Sequence, residues 1–509
     1  MKNTAPALYA ACGAALSYYC LFPLFRRGFI GIGALLVLAF VPVAVLCLFR
    51  VLASYPLAGN EKQETPRLFR LLPLRITAFA AGIALGIGAG SKVAGKTSFG
   101  IPENSIQGIS GTLLDDPRLV SGGRAMSALS LKMSMGTGGV RATAHGEITV
   151  FFPEESAGRL KEFGRGTEVF AEGKLRGAEG TGIGGSDGTY LFSADTLHIT
   201  KAAPLPERFR TGLRLDLTER FTGFSADNAW GGLALALLLG IRDNLDTGFA
   251  SLYRNAGCSF LLALSGMHLA VLIAIISFLL KKPLGLRPSA IAGVVIIIGY
   301  CILVGPLPSL NRAALMYLLG VLAVLGMLKR EPLSLLCMAF VIQLVVTPQA
   351  GLTLSFILSY LALAGILVLG EAVNGIFRGK VPAFLLQPLA ASLGAFIATA
   401  GVSAWFFGEL RPAGIAAGLV LAPLVMLFMA AALAWLGLGF IIPPLSPLLE
   451  KPLSFMYLLM EKTAMLAGRI PAITANPMLI ISLSLITSAL LVWFNSRLRA
   501  AAQRLEPFD

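Results

Sequence analysis

Residues 261–280 read LLALSGMHLAVLIAIISFLL, apolar along almost the whole run except for Ser265, Gly266 and His268. A helix of that length and composition can cross a hydrocarbon core of about 30 Å. Polar groups are costly in such a segment and mark functional or tightly packed places. His268 is one of only three histidines in 509 residues, which makes its position here informative.

The rest of the chain repeats the pattern. Hydrophobic residues make up 56% and charged residues 13%, where soluble domains carry roughly 25% charge. Further apolar runs lie near 8–25, 29–49, 76–94, 288–306, 310–328, 332–348, 352–370, 383–407, 413–440 and 478–495, and the run holding His268 extends over 257–280. A weaker run at 453–470 contains Glu461 and Lys462. The expectation is a polytopic α-helical membrane protein of eleven or twelve transmembrane helices, the number depending on whether 453–470 spans. The first run follows Lys2 as a signal peptide would, yet a second run follows at once without a cleavage signal, so it reads as a retained anchor.

A formal charge of +14 follows from Lys and Arg collecting in cytoplasmic loops and needs no nucleic acid. Lys62, Arg67, Arg70 and Arg75 mark one such loop. Lys281, Lys282 and Arg287, then Lys329 and Arg330, then Arg378 and Lys380 mark others, while the alternate loops at 305–309, 347–351 and 408–414 hold a single Arg411; Arg26 and Arg27, in the short outer loop after the first run, depart mildly from the pattern. This alternation requires that 230–240 does not span, and its shortness predicts a half-buried or interfacial helix. Arg497, Arg499 and Arg504 end up cytoplasmic with twelve helices and external with eleven. Cys12, Cys20, Cys47, Cys258, Cys301 and Cys337 show no metal-ligand or disulfide spacing and read as small buried residues.

Residues 95–207 differ from their surroundings. Alternating stretches at 128–135, 147–152, 167–175 and 189–200 are broken by glycine clusters, which predicts five or six strands in a small sandwich or OB-like barrel outside the membrane. The glycine-rich 177–188 is a loop tip. Ten Lys and Arg stand against twelve Asp and Glu over 100–201, so no basic nucleic-acid footprint is present. Phe170, Tyr190 and Phe192 read as core. The expected organisation is N-terminal helices at 1–94, the extracytoplasmic β domain at 95–207, amphipathic or interfacial helices at 208–256, a membrane module at 257–496 and a basic tail at 497–509.

Four places put polar groups inside membrane runs: Ser265-Gly266-His268; Asn311 and Arg312 at a helix start; Thr353, Ser355, Ser359 and Tyr360; and Thr399, Ser403 and Glu409. Hydroxyl and small residues also serve close helix packing, Arg312 can snorkel to the interface, and His268, several residues inside its helix, can make an interhelical hydrogen bond. No H-E-x-x-H, G-x-S-x-G or P-loop pattern occurs. No catalytic residue, metal or cofactor is expected, and the chain is not expected to be an enzyme.

Residues 236–272, ALLLGIRDNLDTGFASLYRNAGCSFLLALSGMHLAVL, resemble the signature of the ComEC/Rec2 competence family. The matching elements are Leu237–Gly240 with Arg242, then Arg254–Gly257, then Ser265–His268. PSLNRAALMYLL and LTLSFILSYLALAGILVLG resemble later elements of the same family. Ile241 stands where an acidic residue is usual, and the H-x-H-x-D-H motif of the family's metallo-β-lactamase-like domain is absent from the sequence. No nuclease activity is therefore carried over. The resemblance implies a bacterial inner-membrane channel that passes single-stranded DNA into the cytoplasm in natural transformation. Arg242, Arg254, Ser265, Gly266, His268, Asn311, Arg312 and Ser355 are the candidates for the DNA path. Implied partners are single-stranded DNA, the bilayer, a separate nuclease, other DNA-uptake proteins and further copies of the chain. A transporter of another solute, or a non-transporting scaffold with a diverged competence fold, is the alternative.

Overall fold

The computed structural model describes residues 5–21, 78–79, 81–86, 89, 97–119, 125–153, 163–177, 190–223, 229–327, 331–441 and 447–505. The run at 29–49, the Lys62–Arg75 basic cluster, Lys329, Arg330 and most of the 177–188 loop lie outside them. The chain divides into two compact units. One comprises Met1–Val93, Thr247–Ile298 and Pro306–Asp509; the other comprises Ala94–Asp246 and Gly299–Gly305.

The second unit contains the strands. They are β1 (Ser98–Phe99), β2 (Ile106–Leu113), β3 (Arg118–Leu119), β4 (Ala125–Gly136), β5 (Arg141–His145), β6 (Glu147–Phe151), β7 (Glu168–Gly177) and β8 (Tyr190–Lys201). Eight described strands replace the expected five or six: β1 and β3 are only two residues long, β5 (RATAH) has no large apolar side chain, and β2 (IQGISGTL) is too rich in glycine, serine and threonine to show alternation. Five of them close a ring: β2 pairs with β4, β4 with β6, β6 with β8, β8 with β7 and β7 with β2. Only the β6–β8 pair is parallel. Ile109, Leu129, Val150, Val169 and Phe192 fill the interior, so Phe192 is core as expected. Tight closure depends on Gly111 and Gly173 at register shifts, where a β-carbon would stand 2.1 and 2.0 Å from the Ser130 and Ser193 carbonyl oxygens.

The chain leaves the barrel through α2 (Leu205–Thr222), numbered after the N-terminal helix α1 (Ala5–Leu16), and continues into α3 (Ala229–Leu239). All residues of α3 from Trp230 to Leu239 are buried. The half-buried reading of 230–240 is therefore corrected: with no polar face, this short helix is buried along almost its whole length. On α2, the buried Arg210 donates from Nη2 to Asp116 and from Nε to Glu207 Oε2 at 2.6 Å. One turn on, Arg214 Nη1 donates to the carbonyls of Leu303 and Val304, both at 3.0 Å, and of Leu239 at 3.3 Å. Two helix C-termini thereby satisfy carbonyls that lack intrahelical donors. Burial raises the Asp116 pKa, but the hydrogen bond and charge of Arg210, the charge of Arg214 and the Arg165 amide outweigh it. The carboxyl lies below its ordinary value.

The first unit is helical. After α4 (Thr247–Asn255) and the single turn α5 (Ser259–Leu262) come α6 (Gly266–Leu284), α7 (Leu286–Val304, its last turn grouped with the second unit), α8 (Pro308–Leu325) and α9 (Pro332–Val346). Next is α10, which runs over Leu354–Phe377 with a π turn at Ile366–Gly370. The remainder are α11 (Ala383–Phe407), α12 (Ala413–Ile441), α13 (Glu450–Ala467) and α14 (Pro477–Leu505). Among the described residues seven helices are long and apolar enough to cross a membrane: α6, α7, α8, α10, α11, α12 and α14. The expected run at 257–280 is not one span. Gly257, at φ +72°, and the extended Ser265 break it, and the helix proper begins at Gly266. The 332–348 run shrinks to 15 residues in α9, bounded by Pro332 and Pro348.

Small residues bring α10 and α11 together. A β-carbon at Gly394 would lie 2.6 Å from both the Gly365 oxygen and the Gly370 nitrogen, the close backbone approach that small residues allow in membrane bundles. Two hydrogen bonds, Leu410 N to Ile473 O at 2.9 Å and the reverse at 2.7 Å, tie the loop before α12 to the loop after α13. Thus α13, about 27 Å long at 1.5 Å per residue, returns to the end from which α12 set out. At the opposite end Gly375 packs against Asn495, which sets the end of α10, followed by Arg378 and Lys380, beside the part of α14 that carries Arg497.

Candidate functional site

Of the polar positions singled out in the sequence, Ser265, Gly266, His268, Arg312 and Tyr360 come together at the end of the bundle where α6 and α8 begin. Ser265 is the N-cap of α6, extended at φ −137° and ψ 177°, and its Oγ accepts from Met267 N at 3.3 Å. His268 sits at the third helical position and turns back. Its Nδ1 accepts the Ser265 N–H at 3.0 Å and stands 3.0 Å from Ser265 Oγ. This is a capping box with histidine in the place usually held by Glu or Gln. The expectation of a histidine well inside its helix is corrected: the helix starts later, and His268 belongs to its first turn. With Nδ1 accepting an amide hydrogen, the neutral ring carries its proton on Nε2. That atom is buried without a partner in a residue 1% exposed.

Neighbouring starts are fastened to this one. Ser309 Oγ donates to Leu264 O at 2.6 Å, which joins the first turn of α8 to the segment just before α6. Gln343 Nε2, near the end of α9, donates to Pro308 O at 3.1 Å, and Tyr360 OH of α10 donates to Gln343 Oε1 at 2.9 Å. Arg312, in the second turn of α8, lies over the Tyr360 ring at 5.8 Å from its centroid, within cation–π range. From the π turn Ser17–Leu21 that follows α1, Tyr18 donates to Pro348 O and Tyr19 to Gly351 O at 2.7 Å. These two hydroxyls fix the turn that leads into α10.

Gly266 and Arg312, distant in sequence, are neighbours. A β-carbon at Gly266 would stand 3.5 Å from Arg312 Nη2 and 3.4 Å from Ala313 Cβ. Arg312 is 7% exposed, and its Nε is buried without a partner. No salt bridge to Arg312 exists among the described residues. Asn311 is half-buried beside it on α8, whereas Ser355 and Arg254 are exposed outside the cluster. Arg242 is exposed in the segment after α3. His268 and Arg312 share no hydrogen bond. The sequence reading missed Ser309, Gln343, Tyr18 and Tyr19 as site members and left Tyr360 out of the site. Gln343, a lone amide in AFVIQLVV, carried a usable signal.

The helices and this buried polar end define a multi-pass membrane protein. Residues 237–499, just over half of the chain, match the family of competence proteins. The chain belongs to that family, the ComEC/Rec2 competence proteins, and its role falls within DNA uptake in transformation. No curated protein matches it.

Proposed function

We propose that the chain is the bacterial inner-membrane conduit through which one strand of incoming DNA reaches the cytoplasm. The observation that carries the reading is Arg312 in a competence-family chain: a guanidinium held among membrane helices with no carboxylate against it among the described residues. A polyanion crossing a bilayer requires a cationic, polar lining shielded from lipid. The cluster end faces outward on this reading, because Arg378, Lys380 and Arg497 gather at the other end and mark the cytoplasm. Residues 95–207 are extracytoplasmic by the charge alternation along the sequence, and the five-strand ring is an OB-like barrel. Its near-balanced charge gives it no part in gripping phosphates. The chain conducts DNA without cutting it, and strand degradation falls to a separate nuclease.

Deleting the gene and following labelled DNA tests this. The expected strain still binds DNA at its surface and internalises none, and the intact gene restores entry. Internalisation at the wild-type level without the gene overturns the proposal.

A further inference from the structure

Resting on that reading, we infer that Arg312, with Gly266 in front of it and the Tyr360 ring beneath, forms a site for a single phosphate oxyanion. Three observations lead there. First, the guanidinium is nine-tenths buried, its Nε lacks an acceptor, and among the described residues it meets the face of an aromatic ring and no carboxylate. Leaving a buried cation uncompensated is strongly unfavourable, and every polar atom of arginine is a donor, so the missing partner is an acceptor, most effectively an anion. Second, α6 and α8 both begin here, and the N-cap residue of α8, Leu307, supplies no side-chain cap. The amides and the positive macrodipole ends of both helices favour an oxyanion at this end.

Third, Gly266 has an ordinary helical backbone, since its φ is not among the positive ones. An alanine β-carbon would find only ordinary contacts at 3.4 and 3.5 Å. The consequence of glycine is therefore an uncovered Nη2, which any longer side chain would mask. The platform is rigid as well: the Tyr360 hydroxyl is committed to Gln343, and Gln343 to Pro308. A fixed guanidinium fork recognises a phosphodiester or inorganic phosphate through paired hydrogen bonds, which a lysine ammonium cannot reproduce.

The test uses the full chain in phosphate-free maltoside micelles and in phospholipid nanodiscs. The probes are a fluorescent oligothymidylate, its uncharged methylphosphonate analogue, and inorganic phosphate as competitor. Arg312→Gln is expected to weaken the charged oligomer at least tenfold while leaving the analogue unaffected, and Arg312→Lys to fall between. Gly266→Ala retains binding. Gly266→Leu loses it at an unchanged thermal transition, which keeps the test decisive if Arg312→Gln folds poorly. Binding in micelles that disappears in nanodiscs, with phospholipid co-purifying with the wild type and not with Arg312→Gln, assigns the same phosphate site to a lipid headgroup. Equal affinity of the wild type, Arg312→Gln and Gly266→Leu for the oligomer and for phosphate overturns the inference. In that event a gene deletion that still blocks entry leaves the uptake reading standing without this site.

Discussion

Replacing His268 separates two roles that the native side chain combines. His268→Ala removes the acceptor of the Ser265 N–H and empties a site only 1% exposed. Loss of a helix cap costs about 0.5–2 kcal/mol, and an orphaned amide about 1–3 kcal/mol. The void adds to this, while deleting the partnerless Nε2–H gives part of it back, so the net expectation is about 2–3 kcal/mol. His268→Gln differs, because glutamine at this position accepts the same amide hydrogen in the common form of the capping box. Its cost is expected to stay within about 1 kcal/mol, which leaves the two variants about 1–2 kcal/mol apart. Thermal unfolding in micelles reads the difference, and hydrogen exchange at Ser265 localises it. If Ser265 is equally protected in the wild type and the alanine variant, or if Gln and Ala destabilise equally, the capping argument is wrong. DNA entry adds a second axis. Entry restored by Gln marks His268 as a positioning residue, and entry lost in a stable Gln variant assigns a function to Nε2–H.

Three further expectations follow from the packing and the charges. Gly394→Ala drives a β-carbon to 2.6 Å from backbone atoms of Gly365 and Gly370, so α10 and α11 must separate at a cost of about 1–3 kcal/mol, measurable as a lowered unfolding midpoint. Tyr18→Phe with Tyr19→Phe frees the carbonyls of Pro348 and Gly351 and should cost about 2 kcal/mol in the same assay, at about 1 kcal/mol per bond. Because the folded Asp116 pKa lies below the ordinary 3.8, its stabilising contribution is complete above that value and disappears as pH falls through the folded value. Asp116→Ala should therefore destabilise the chain at pH 6 by about 2–3 kcal/mol, less than a fully broken buried pair because Glu207 still holds Arg210, and match the wild type's behaviour only at strongly acidic pH.

Much of the architecture was legible because lipid simplifies the code: an apolar run of sufficient length has few alternatives to a helix. The helix starts were less legible. Nothing in LLALSGMHLAVL shows by periodicity that α6 begins at Gly266, since the preceding residues are as apolar as those that follow. The Ser-x-x-His spacing carried the signal, but histidine is an uncommon third member of a capping box and read more readily as a lone buried donor. In the barrel, β2 escaped notice because Gly108 and Gly111 replace the side chains that alternation needs. Arg312 was visible as a cation in a membrane helix. Its pairing with Gly266 was not, because 46 positions of chain separate residues that meet only when α6 and α8 pack.

The placement of the tail rests on a chain of contacts rather than on hydropathy. Glu461 and Lys462 make α13 ambiguous as a span in sequence terms. The hydrogen bonds between Leu410 and Ile473 remove the ambiguity in direction, since a helix that lay flat would not bring residue 473 back beside residue 410. Once α13 returns, α14 must run to the opposite end, and Asn495 against Gly375 is where it arrives. The basic residues after Phe377 and those near the end of α14 are thus on one side, opposite Arg312 and the beginnings of α6 and α8. A cysteine at Arg497 labelled by a membrane-impermeant maleimide from the cytoplasmic side alone, with one at Gln349 labelled only from outside, is the expected result. Labelling of both from the same side would contradict the returning α13.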